Sequence, residues 1–216
     1  MAPIHASEAY HLDPAASLEQ PGSAPYVHTR AWREDLDRAI AAVEAARREA
    51  DLLVLAMHWG VPPFWRSRFQ DGLADYQIEV GQALIDAGVD VIVGHHPHSL
   101  GEVEVYRGKP IFYSLGNFVF HHNRGPVRDT PVSRNAPYGV SVDRRNRNWS
   151  ETVIVLADIA ADGAVSFSLQ PALLDAVGNP QLLAGDEARA LIKRLDEMSP
   201  NASIVYRDGL GYLQLD

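Results

Sequence analysis

Two short apolar runs of β type, each stopping on histidine, constrain this chain more than any other feature. Leu52–Met57 ends on His58, and Val89–Val93 ends on Gly94, followed by His95, His96, Pro97 and His98. Short apolar runs suit strands buried on both faces, since both sides of the pleat then meet hydrocarbon. A side chain placed just past such a strand sits on a rigid support and still reaches a crevice. Six of the nine histidines fall between positions 58 and 122. That clustering points to metal.

Composition limits the alternatives. A chain of 216 residues, 46% apolar and 22% charged, has the make-up of a soluble globular protein. A net charge of −9 argues against nucleic acid as a partner, because that binding needs a basic footprint. With no cysteine, any metal must be held by imidazole and carboxylate. No stretch reaches the length of a membrane span, and MAPIHASEAYHLD lacks the basic and apolar regions of a signal peptide. As written, the expected location is cytoplasmic; an upstream segment would make the protein membrane-associated or exported.

Residues 1–28 read as an irregular N-terminal segment, interrupted by Pro3, Pro14, Pro21 and Pro25, with nothing to nucleate a sheet edge. Residues 29–216 read as the remainder of one domain. Thr29 is placed to cap a helix over Arg30–Ala50, with Leu36, Ile40, Val43 and Ala46 at helical spacing. A second helix over Leu73–Ala87 is expected to bury Ile78, Ala83 and Leu84, and Gly88 to end it. Glu102–Tyr106 and Pro110–Leu115 form a hairpin around Arg107-Gly108-Lys109; Glu151–Ile159 and Ala164–Leu174 form another around Asp162-Gly163. A helix over Asp186–Met198 and two short strands, Ser203–Tyr206 and Gly211–Leu215, finish the chain. Helix–strand alternation succeeded by hairpins implies an α/β sandwich.

The metal expectation has a physical basis. In His96-Pro97-His98 one residue separates two imidazoles, and an extended backbone would set both on one side. Neutral imidazole is a good ligand for zinc, iron or manganese. His58, at the end of the neighbouring strand, supplies a third nitrogen. His121 and His122 fit an exposed pair better than ligands.

LLVLAMHWG, ALIDAGVDVIVGHHPHSLGEVEVYRGKPIFYSLGNFVF and the ETVIVL hairpin closely resemble the CapA family, the capsule or poly-γ-glutamate biosynthesis proteins. These are similar to calcineurin-like metallophosphatases. The resemblance is strong from about Asp51 to Phe120 and looser beyond. It implies a four-layer α/β/β/α sandwich with a dinuclear centre of Mn, Zn, Fe or Mg. It also matches His58 to the lone metal histidine, and His96 and His98 to the paired motif, with His95 as the alternate. The family's N-terminal motifs, an aspartate-bearing first strand, an Asn/Asp-Leu-Glu segment and an Asn-His pair, have no match here. The expectation is therefore the C-terminal half of such a domain, its centre dinuclear only when the N-terminal half is supplied.

With the site complete, the chemistry implied is metal-assisted hydrolysis of an anionic substrate, a phosphoester or polyglutamate. Six arginines between His121 and Ser150 leave a local surplus of four positive charges. Arg124 and Arg128 there, with Arg66 and Arg68 after His58, are candidate substrate contacts, since guanidinium forks match phosphate and carboxylate oxygens. A solvated arginine-rich surface is the competing reading. Asn117, in SLGNF, is either a side chain that orients a ligand or a turn residue. Three functions compete: a metallophosphatase-type hydrolase, a non-catalytic binding or assembly component for an anionic capsule polymer, and an inactive fragment.

Overall fold

The computed structural model describes residues 6–9, 28–60, 73–120, 147–175 and 178–216. Arg66, Arg68, Arg124, Arg128, His121 and His122 lie outside the described residues. The chain forms a mixed α/β structure that divides into two compact units, residues 1–55 with 60–90, and residues 56–59 with 91–216.

In the first unit, β1 (Ala6–Ala9) pairs antiparallel with β2 (His28–Ala31). The opening segment therefore holds a strand where the prolines suggest only irregular chain. Helix α1 (Arg33–Arg47) begins behind Trp32, and it buries Leu36, Ala39 and Val43 at the spacing of one helical stripe. Thr29 does not cap it. Thr29 lies in β2, and its Oγ1 instead accepts the backbone N–H of Tyr76 at 3.2 Å, at the start of α2 (Asp75–Asp86). A residue read as the cap of the nearest helix thus serves a later one, because the ribbon carries it there. Gln77 completes that end by accepting the Ala74 N–H at 3.0 Å.

Helix α2 buries Tyr76, Val80, Leu84 and Ile85 rather than Ile78, which is 39% exposed. Its stripe is turned by Tyr76, whose hydroxyl accepts the Gly60 N–H at 2.7 Å. Gly88 ends α2 as expected, at φ +121. Arg47 then reaches Asp90 and the Ala50 carbonyl, and Asp90 accepts the Leu53 N–H at 2.8 Å.

Strand β3 (Val54–His58) has its last three residues in the second unit. Its sheet runs β3-β4-β6-β5, with β4 (Val91–His95), β5 (Val103–Tyr106) and β6 (Lys109–Phe112). β4 and β6 are parallel, and β5 and β6 form the expected hairpin. Arg107 and Gly108 both take positive φ, +54 and +74, the two-residue turn that matches strand twist. β4 is buried as anticipated, but β3 is not: Val54, Ala56 and His58 are exposed. Among the described residues β3 is the sheet's outer strand, and its exposed residues alternate along it and so share one face of the pleat.

A one-turn helix, α3 (Arg147–Ser150), leads into the second hairpin, β7 (Glu151–Ile159) and β8 (Val165–Leu174). β8 also pairs with β9 (Pro180–Leu182) and β11 (Leu210–Gln214), and β11 pairs with β10 (Ser203–Arg207). Helix α4 (Gly185–Glu197) contributes Ala188, Leu191, Ile192 and Leu195 to a core shared by both sheets. Phe112 of β6 meets Phe167 of β8 there, ring centroids 6.4 Å apart. Burying a side chain of this size contributes about 2–3 kcal/mol.

Candidate metal centre

The ends of β3, β4 and β6 carry the site. His58 closes β3, His95 closes β4, and His96 comes directly after it. His96 Nδ1 stands 3.0 Å from His58 Nε2, with the two rings edge to face at 4.8 Å. At that distance one nitrogen donates a proton and the other accepts it. Burial, then the proximity of His58 and His98, holds His96 below the ordinary imidazole range. His95 is lowered by burial and then by His58. Neutral rings keep the lone pairs that a cation needs.

His98 goes elsewhere. His96 and His98 have φ of +125 and +57, so this is not the extended backbone that would put both rings on one side. His98 Nδ1 meets Asn117 Oδ1 at 2.6 Å. Asn117 is buried, and its Nδ2 donates to the carbonyls of His98, at 3.1 Å, and of Trp149, at 2.9 Å. Those two acceptors fix which end of the amide is oxygen, so His98 Nδ1 must carry a proton. Trp149, from α3, and Phe120 flank the His98 ring at 4.8 and 5.4 Å.

His58, His95, His96, His98 and Asn117 all line one cavity of about 510 Å³, whose remaining wall is largely apolar, from Val93 and Leu115 to Val153 and Val155. The structure brings His58 together with His96 and anchors His98 on Asn117. It does not gather His58, His96 and His98 into one set; among the described residues no three His, Asp or Glu side chains group as a metal site. No acidic side chain lines the cavity among those residues. The residues fit a cation as a pair. Two nitrogens about 2.05 Å from one ion stand about 2.9–3.4 Å apart at ordinary ligand angles, and the observed separation lies within that span.

Four contributors escape sequence reasoning. Trp59 is buried, its indole N–H donating to the Tyr113 carbonyl at 2.8 Å. At Gly94 an added Cβ would lie 2.4 Å from the Trp59 indole nitrogen and 2.2 Å from the Tyr113 oxygen. Tyr113 stacks on Trp59, centroids 5.3 Å apart. Trp149 lies far along the chain, where nothing in RNWS signals a partner for His98. For Trp59 and Gly94 the signal is present in HWG and VGHH, as apolar or missing side chains directly beside histidines.

The sequence profile of the bacterial capsule synthesis protein family PGA_cap matches residues 3–122. The chain belongs to this family. The match takes in His58 through Asn117 and also the opening segment. Among PGA_cap relatives, the chain is 39% identical over 118 residues to the PGA biosynthesis protein CapA of Bacillus subtilis (strain 168), covering 55% of this chain and 27% of the relative. It is 34% identical over 128 residues to the capsule biosynthesis protein CapA of Bacillus anthracis, 58% and 28% respectively. A probable polyglutamine synthesis accessory protein of Mycobacterium tuberculosis (strain CDC 1551 / Oshkosh) is 35% identical over 105 residues, 49% and 26%. The chain thus spans about a quarter of the length of these relatives.

Proposed function

We propose that this CapA-like chain contributes the histidine side of a divalent-metal site in a hydrolase of metallophosphatase type, acting on an anionic substrate of capsule or poly-γ-glutamate biosynthesis. The observation that carries this is the His58–His96 pair, two imidazole nitrogens 3.0 Å apart at the spacing of shared ligands. A hydrogen bond now joins them; a divalent ion bound by both nitrogens would replace it. His58 and His96 would hold the ion, with His95 or His98 Nε2 as the next donor. Imidazole favours zinc or iron over magnesium.

When bound, such an ion supplies Lewis-acid polarisation of a phosphoryl or amide oxygen. The chain's own part is to present oriented lone pairs beside a largely apolar wall. Carboxylates for a dinuclear centre would come from polypeptide corresponding to the unmatched three-quarters of the relatives. The four-layer α/β/β/α arrangement belongs to the same proposal. Arg66, Arg68, Arg124 and Arg128 are proposed to meet the substrate's phosphate or carboxylate groups.

The binding-component reading has its own support, since no third ligand joins the pair and no acidic side chain lines the cavity among the described residues. Calorimetric zinc titration tests the site itself: wild type takes up about one ion, and His58→Ala with His96→Ala abolishes uptake. Equal uptake by both proteins overturns the site. Hydrolysis of a generic phosphodiester with added manganese then separates hydrolase from binding component. The assay uses the chain joined to the polypeptide that supplies the carboxylates; absence of turnover in that joined protein, with the ion bound, leaves only the second.

A further inference from the structure

His58 poses a mechanical problem. It is the last residue of the sheet's outer strand and its side chain is exposed, yet its Nε2 stands within 3.0 Å of His96. Among the described residues, its one ring contact is with His96 itself. The adjacent residue explains the placement. The Trp59 backbone N–H donates to the His95 carbonyl at 3.0 Å, which fixes the end of β3 against the end of β4. The Trp59 side chain is 2% exposed and occupies the space that Gly94 leaves by having no Cβ. There its indole N–H bonds the Tyr113 carbonyl, just past β6, at 2.8 Å, and its ring lies on the Tyr113 ring at an interplanar angle of 21°. The Tyr113 hydroxyl donates in turn to the buried Glu104 at 2.6 Å.

We infer that Trp59 is a positioning residue for the metal pair: it ties the ends of three strands at one point and thereby sets the His58–His96 separation. This rests on the metal reading above for its purpose, but not for its geometry. The Trp59 ring stacks on Tyr113 and its N–H bonds the Tyr113 carbonyl, rather than either ligand ring. It acts through the backbone on both sides, holding residue 58 from β3 and residues 95 and 96 from β4 at one register. Gly94 and Trp59 are then two halves of one device, an absent side chain and the ring that fills its place.

Trp59→Phe keeps an aromatic ring on Tyr113 and removes the N–H. The test compares imidazole ¹⁵N spectra of metal-free wild type and variant, with cobalt(II) titration followed by its d–d absorption. In the variant the His58 and His96 ring signals move together toward those of freely exchanging imidazole, while those of His98, fixed by Asn117, stay. Cobalt affinity falls about fivefold, the equivalent of one lost hydrogen bond. Trp32→Phe, at an exposed tryptophan, changes neither readout. Should Trp59→Phe not fold, site-specific replacement of the indole by its benzothiophene isostere keeps the shape and deletes only the donor. His58 and His96 signals indistinguishable from wild type in the folded variant, with cobalt affinity within about twofold, overturn the assignment. A wild type that takes up no cobalt sinks the metal reading, while the ring-nitrogen comparison still decides what Trp59 does.

Discussion

Strands β3 and β4 look alike as text, each a run of Val, Leu and Ile closing on histidine, and they are held in opposite ways. Ile92 of β4 is 0% exposed and lies between neighbours on both sides, whereas Val54 of β3 is 54% exposed at the sheet's outer strand. β4 delivers its histidines because the core fixes the whole strand. β3 delivers His58 because one residue past its end is locked. The same motif is thus positioned by packing in one strand and by a single side chain in the other.

The largest expected contrast tests this directly. Ile92→Ala removes fully buried methylenes and costs about 2–5 kcal/mol, read as a fall in the denaturant midpoint. Val54→Thr is expected to stay within about 0.5 kcal/mol. Comparable costs at the two sites would erase the distinction between the strands. Gly94→Ala comes next. Its methyl meets two backbone carbonyls and the Trp59 indole, so repacking costs toward the upper end of about 1–3 kcal/mol. Zinc affinity falls with stability there.

Asn117→Ala costs about 2 kcal/mol, since it strips the amide donor from the His98 and Trp149 carbonyls and the acceptor from His98 Nδ1. Its spectral signature is the reverse of that for Trp59: His98 signals shift and the His58–His96 pair stays. The smallest effect concerns charge on the covered side of the sheet. Burial, then Glu104, holds the Glu102 carboxyl above its ordinary range, so the folded chain binds that proton more tightly than the unfolded one. The folded state is therefore penalised above the raised pKa, and the penalty fades as pH falls toward the ordinary carboxylate range. Glu102→Gln is expected to raise the melting temperature slightly at neutral pH and to flatten its rise on acidification. A lower neutral-pH melting temperature in that variant contradicts the sign.

Local signals are legible where the chain alone determines the outcome. The Arg107-Gly108 turn, the Asp162-Gly163 hairpin and the stripe of α4 come directly from residue type and period. Burial of β3 is overstated by its composition, which does not say whether both faces of a strand are covered. Thr29 reads as the cap of the wrong helix, since a cap is recognised in sequence only when its helix is adjacent. His96-Pro97-His98 points to the right residues for the cavity and the wrong backbone, as left-handed φ at two histidines is unfavourable locally and is set by what Asn117 and His58 hold. Trp149 is invisible in sequence for the same reason: its partner His98 belongs to a distant segment.

Gly94 extends the reach of the site beyond the residues that carry its chemistry. It offers no nitrogen, oxygen or charge from a side chain. Yet the smallest possible addition there collides with the chain just past β6 and with the ring beside His58. Selection acting on the histidines is thereby transmitted to a residue without chemistry. Among variants that keep the site, position 94 should be as intolerant as a ligand, while Val54, in the same sheet, is free to drift.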